Sequence, residues 1–274
     1  MPAALWTALT VLAVNIQLAI PAYAGPGVPA GFYFVSPPNL ASFPAGGGAG
    51  ANGPAVSPPL GNRSYALAFT PGGNLFGYGG TPFVSDSDDL VNIDPLTGVT
   101  TPVGETGFNY TLSFAIDRAG TAYAYSYNGI GDVFHTIDLD DAGASPIGTY
   151  IGLSVNALAF DSGNMLFGLR NGNWLMRVNT ATGQPTQVVR LQLPPAFSAS
   201  GLAFDDDNQA HVIASNASSG GPARLYRLNM TSGALTFLGE APGQATRDMD
   251  FIPEPASAML LAIGLVAFAR TRRS

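Results

Sequence analysis

The side chains with chemistry to offer in this 274-residue sequence are two histidines, three aspartate runs, a separated pair of glutamates and a scatter of aromatic rings. His135 and His211 could act as bases or metal ligands, but there is no cysteine, so thiolate metal sites and disulfides are excluded. Two histidines alone make a poor transition-metal set, and both read as structural. The runs Asp86-Ser87-Asp88-Asp89, Asp138-Leu139-Asp140-Asp141 and Asp205-Asp206-Asp207 offer the oxygen ligands that calcium takes. None has the central Gly and terminal Glu of a twelve-residue calcium loop, and Asp favours solvated turns by bonding its own backbone. Glu105 and Glu240 could serve glycoside hydrolysis only if folding set them at the separation that chemistry needs. They occupy equivalent places in different repeats, which reads as a turn position. Tyr78, Tyr123, Tyr125, Tyr127 and Trp174 could stack on sugar rings where exposed, or pack between layers where buried. The expectation is a noncatalytic protein with no catalytic residue, no cofactor and no metal site.

The elements that must position these residues repeat. Ala66-Leu67-Ala68-Phe69 recurs as Phe114-Ala115-Ile116-Asp117, Ala157-Leu158-Ala159-Phe160, Gly201-Leu202-Ala203-Phe204 and Asp248-Met249-Asp250-Phe251. Phe69, Ile116, Phe160, Phe204 and Phe251 are spaced by 47, 44, 44 and 47 residues. Each full repeat continues with a Gly- or Asn-containing turn and a second apolar strand. An alternating third strand follows, as in Leu175-Met176-Arg177-Val178, then an Asp/Asn turn such as Asp94-Pro95-Leu96-Thr97-Gly98, and a short fourth strand. Four short strands in about 45 residues is the signature of a propeller blade. The all-apolar first strand suits the centre and the alternating third the rim. The pattern resembles bacterial β-propellers with Leu-Ala-Phe-Asp and Thr-Gly blade motifs.

The fold class is therefore all-β, a β-propeller over residues 25–252. Residues 246–252 supply a lone first strand, which Gly31–Val35, Asn39–Phe43 and Ala55–Pro58 complete as strands two to four. This split blade makes five blades; four blades with a loose N-terminal arm is the alternative. The Gly/Pro-rich stretch 44–59 reads as a long loop or a poorly formed strand.

The two ends are addresses. Residues 1–24 read as a signal peptide, with an apolar run and a small-x-small site at Ala22 and Ala24 that would free Gly25. Residues 253–274 begin Pro253-Glu254-Pro255, continue through an uncharged apolar stretch at 256–269 and end with Arg270, Arg272 and Arg273. As a helix that stretch would reach about 21 Å, short of a hydrocarbon core of about 30 Å. The arginines would hold its end on the cytoplasmic side. This tail resembles the PEP-CTERM sorting signal. The resemblance implies recognition of Pro253, Glu254 and Pro255 by an exosortase, a membrane-embedded cysteine protease, in a Gram-negative bacterium that makes exopolysaccharide. The precursor would pass from the signal peptidase to the inner membrane, and then to the cell surface or the extracellular space.

Among partners, nucleic acid is disfavoured. There is no lysine, and between residues 25 and 252 eight arginines face seventeen acidic groups, a balance that repels phosphate backbones. Three functions compete: a surface or matrix protein binding polysaccharide or another protein, an extracellular lyase or hydrolase using the central channel, and a purely structural coat.

Overall fold

The computed structural model describes residues 28–36, 39–55, 66–79, 89–108, 110–216, 221–241 and 248–252. Twenty strands form five four-stranded antiparallel sheets. Blade 1 takes β1 (Gly31–Ser36), β2 (Asn39–Pro44) and β3 (Ala51–Ala55) from the start of the chain, and its innermost strand, β20 (Asp250–Ile252), from the end. Blade 2 is β4 (Leu67–Phe69), β5 (Leu75–Gly79), β6 (Asp89–Ile93) and β7 (Thr100–Glu105). Blade 3 is β8 (Tyr110–Ile116), β9 (Ala122–Tyr127), β10 (Asp132–Ile137) and β11 (Ala144–Tyr150). Blade 4 is β12 (Val155–Phe160), β13 (Leu166–Arg170), β14 (Trp174–Val178) and β15 (Pro185–Arg190). Blade 5 is β16 (Phe197–Phe204), β17 (Ala210–Asn216), β18 (Ala223–Leu228) and β19 (Leu235–Ala241).

The inner strands touch in the order β4, β8, β12, β16, β20 and back to β4, which closes the ring. Five blades joined by the split blade is the arrangement expected from the repeat. One element differs: the fourth strand of blade 1 includes Ala51–Ala55, inside the stretch read as a long loop or a poorly formed strand, and so begins before the expected Ala55; the rest of the expected strand, 56–58, lies outside the described residues. Gly50, Gly53 and Pro54 hide its strand character. Its pairing to Ser42 and Ala41 and the Gly50 N–H bond to the Glu240 carbonyl impose that character from outside.

The core lies between blades as much as within them. One cluster joins Phe167, Leu169 and Leu175 of blade 4 to Leu202, Val212 and Tyr226 of blade 5. Another joins Tyr125 and Phe134 of blade 3 to Leu158 and Val178 of blade 4. These apolar seams follow from strands buried on both faces.

Each blade has two ends. The turns joining first to second and third to fourth strands lie at one, here the turn face; the remaining connections lie at the other, the loop face. In blades 3, 4 and 5 the first-to-second turn is capped by its own aspartate: Asp161 Oδ1 accepts the Gly163 and Met165 N–H groups, and Asp117 and Asp205 repeat the arrangement. The left-handed position of this turn holds Gly73, Gly120, Asn164 and Asn208. Asn164 accepts the Arg118 N–H of the preceding blade, and Asn208 that of Ser162. Where the residue at the donor place is Pro71, which has no N–H, the left-handed residue of the next blade is Gly120, which has no acceptor. The described chain enters at Val28 and leaves at Ile252 on the turn face, where Gly31 is paired with Ile252.

Candidate functional site

At the axis, the small residues of the repeat leave room that the closing segment fills. Ala66, Ser113, Ala157 and Gly201 stand where that segment has Asp248; Ala68, Ala115, Ala159 and Ala203 stand where it has Asp250. Asp248 is fully buried. Its Oδ2 accepts the Phe114 N–H of β8 at 3.0 Å, and its carboxylate also bonds the Leu158 N–H of β12. Those two strands are not neighbours of β20 in the ring, so the side chain reaches across the axis. Asp248 itself is left-handed (φ 58°), with its N–H on the Ser200 carbonyl at 2.6 Å. A Cβ on Gly201 would lie 2.8 Å from Met249 Cβ, so glycine is what admits this turn. Asp250 Oδ2 accepts the Phe69 N–H of β4 at 2.6 Å.

Burial pushes both carboxyls up, Asp250 to about 6 and Asp248 well above the ordinary range, although backbone donors oppose the shift. These N–H groups belong to inner edges that no strand covers. Two acidic side chains from the closing strand satisfy what a sixth strand would otherwise have to. The pair is a fastening, and sequence reasoning missed it. The signal was present as acid where four sister repeats have alanine, serine or glycine.

A second group has the outline of hydrolase chemistry. Ser126 Oγ lies 2.8 Å from His135 Nε2 and 3.0 Å from Thr111 Oγ1. All three side chains are fully buried, and Phe108 stacks on the imidazole at 4.3 Å. Burial lowers His135 to about 4, so the ring stays neutral. A nucleophile needs access and a base needs an orienting partner; here Phe108 caps the ring and Nδ1 has only the Thr136 carbonyl at 3.4 Å. His211, in another blade, packs on Phe32 with ring centroids at 4.5 Å and lies 3.7 Å from Asp205. The structure does not bring the histidines together.

The other sequence candidates separate in the same way. Glu105 is the last residue of β7 and Glu240 the last but one of β19, in blades 2 and 5, so both stand in strands and not in turns; Glu105 is opposite Asp89, and Glu240 is bonded to Arg224 at 2.6 Å. Asp138 caps a turn through the Asp140 N–H, and Asp205 through Asp207 and Gln209. No group of three or more metal-ligating side chains occurs among the described residues. Tyr78 and Tyr125 are fully buried; Tyr125 donates to the Gly183 carbonyl of the next blade. Tyr127 and Trp174 reach the surface. Ala22, Ala24, Gly25, Pro253, Glu254, Pro255, Arg270, Arg272, Arg273 and the start of the first acidic run lie outside the described residues. Among the described residues no helix is long and apolar enough to cross a membrane.

The loop-face ends of the blades carry the variation. At equivalent places across β6 and β7, blade 2 sets Asp89 opposite Glu105. Blade 3 has Ser126, Val133 and Thr149 there, and blade 5 Ala214, Arg224 and Glu240. Blade 4 sets Arg170, Trp174 and Arg190 side by side on β13, β14 and β15.

Residues 251–273 match the family model of the PEP-CTERM protein-sorting motif. No curated protein matches the sequence. Among solved structures, the chain is similar to TolB from Acinetobacter baumannii, at 11% identity and TM-score 0.52 over 82% of this chain and 67% of that one. It also matches hydrazine synthase from Kuenenia stuttgartiensis, at 11% identity and TM-score 0.43 over 66% of this chain and 49% of that one. A third match is the extracellular domain of the two component system BT4673 from B. thetaiotaomicron, at 14% identity and TM-score 0.40 over 76% and 26%. The chain thus spans half or less of the last two. At these identities the likeness is one of fold.

Proposed function

We propose that this chain is an exported, noncatalytic surface or extracellular-matrix protein whose propeller binds polysaccharide or another surface protein through its loop face. A PEP-CTERM signal implies membrane-anchored sorting and processing by an exosortase on the way to the cell surface. The observation that carries the reading is the place of that signal. Its first matched residue, Phe251, lies within β20, and both ends of the described domain leave by the turn face. A propeller held there presents its loop face away from the membrane. In this reading residues 1–24 are removed after Ala24, Pro253-Glu254-Pro255 is the recognition motif, and Arg270, Arg272 and Arg273 stop transfer.

The test is expression of the full chain in a Gram-negative host with and without an exosortase. The expected result is a shorter, protease-accessible surface form only when the enzyme is present, and loss of shortening in Pro253→Ala/Glu254→Ala. A tail retained equally in both hosts, or shortening unaffected by the double change, would overturn the sorting role.

A further inference from the structure

We propose that the loop-face end of the seam between blades 3 and 4 is a binding site for an anionic saccharide chain, with Trp174 as the stacking platform and Arg170 and Arg190 as its carboxylate anchors. This rests on reading the propeller as a binding module and names the ligand class. Three observations carry it.

The first is register. Arg170, Trp174 and Arg190 are directly opposite one another on adjacent strands, so they share one sheet face. The two arginines stand two strand spacings apart, about 10 Å. That face is turned toward blade 3, because Val178, two alternations along from Trp174, packs with Tyr125 and Phe134.

The second is charge. Among the described residues neither arginine is ion-paired with a carboxylate, although the chain carries 18 acidic groups against 11 basic ones. The equivalent row of blade 2 is acidic, that of blade 3 uncharged, and that of blade 5 neutralises Arg224 with Glu240 at 2.6 Å. Asp132, on the blade 3 side of the seam, is buried and turned onto the Ser154 N–H at 2.8 Å. The carboxylates of the turns lie at the opposite face, where a Debye length of about 8 Å screens them.

The third is preorganisation. Arg170 is pinned by Nε on the Leu153 carbonyl at 3.1 Å and Nη2 on that of Gly152 at 3.3 Å. The Arg190 guanidinium lies over the Trp174 ring, 5.6 Å from its centroid. Beside them Ile151 is 84% exposed. An indole with the Arg190 guanidinium over one face and Arg170 pinned beside it on the neighbouring strand suits a chain of sugar rings bearing carboxylates: the other ring face stacks, and each planar fork pairs a carboxylate. Blade 5 repeats the construction in self-satisfied form, with Arg224 over the Phe197 ring at 4.8 Å and already held by Glu240.

The experiment is affinity electrophoresis of the full chain, in detergent, through gels containing polygalacturonate or neutral dextran. Retardation by polygalacturonate alone is expected, at least tenfold weaker in Trp174→Ala and in Arg190→Glu, and unchanged in Arg224→Gln. Arg190 is exposed, so its charge reversal leaves the fold intact. Retardation by dextran and not polygalacturonate would overturn the anionic ligand while leaving the glycan reading. Retardation by neither would remove the glycan reading as well. Equal loss in Arg224→Gln would overturn the placement of the site.

Discussion

At the residue scale the molecule carries two opposed responses to pH. Asp250 has its carboxyl raised to about 6 by burial, so between about pH 4 and 6 the folded state holds a proton that the unfolded state has released. Stability from this group therefore falls as pH rises through that window, by on the order of 2 kcal/mol. His135, lowered to about 4, acts in the other sense: below pH 6.5 the unfolded ring gains a proton that the folded one refuses. Stability is lost on acidification from 6.5 toward 4, by about 3 kcal/mol. Urea midpoints measured from pH 4 to 7 should show the neutral-side decline flattened in Asp250→Asn and the acid-side decline flattened in His135→Gln. Asp248→Ala should cost about 3 kcal/mol at pH 4, because it leaves the Phe114 and Leu158 N–H groups buried without their acceptor, and less toward pH 7, where the raised Asp248 carboxyl itself weighs against the folded state.

At the element scale the blades are held in phase by backbone that only glycine allows. Gly233, left-handed at φ 74°, has the Arg190 carbonyl of blade 4 where a Cβ would go, and Gly183 has Phe134 of blade 3 there. Gly120 is equally left-handed, with nothing within 4 Å. Gly233→Ala should therefore lower Tm well beyond Gly120→Ala, which carries the conformational cost alone, about 1 kcal/mol; thermal melts of the two proteins check this. The contrast also shows what was legible beforehand. Recurrence of the Leu-Ala-Phe segment sufficed for blade number and the split blade, because each blade must bury the same inner strand. The bounds of strand β3 were not legible, since Gly50, Gly53 and Pro54 give no alternation and its conformation comes from its neighbours. The Arg170–Trp174–Arg190 row was no more so: Trp174 stood out as an aromatic, but its arginines are 4 and 16 residues away and meet it only through strand register. The Thr111–Ser126–His135 chain was hidden for the same reason, and its sealing by Phe108 is a property of packing.

At the scale of the whole molecule the two faces differ in charge as well as in role. The turns carry Asp94, Asp117, Asp138, Asp140, Asp141, Asp161 and Asp205–Asp207 against Arg118 alone, and the chain ends leave beside them. While the tail remains anchored, this face should repel an anionic bilayer and keep the propeller upright. The absence of cysteine allows a direct check. On intact cells lacking an exosortase, with the outer membrane made permeable, a thiol at Ile130 on the loop face (77% exposed) should react faster with a membrane-impermeant maleimide. One at Leu96 on the turn face (51% exposed) should lag, and the difference should vanish on the released protein. Equal rates before release would contradict the orientation. The closing strand has a further consequence, in time. Blade 1 begins with some of the earliest residues of the domain and is finished by its last, so no partly synthesised chain can complete the ring. Until Asp248 and Asp250 arrive, β1 has an open edge and the axis is unfilled. A prematurely terminated copy therefore shows its incompleteness to any protease that reads unpaired strands, whereas the finished copy conceals it by the same act that delivers its sorting signal.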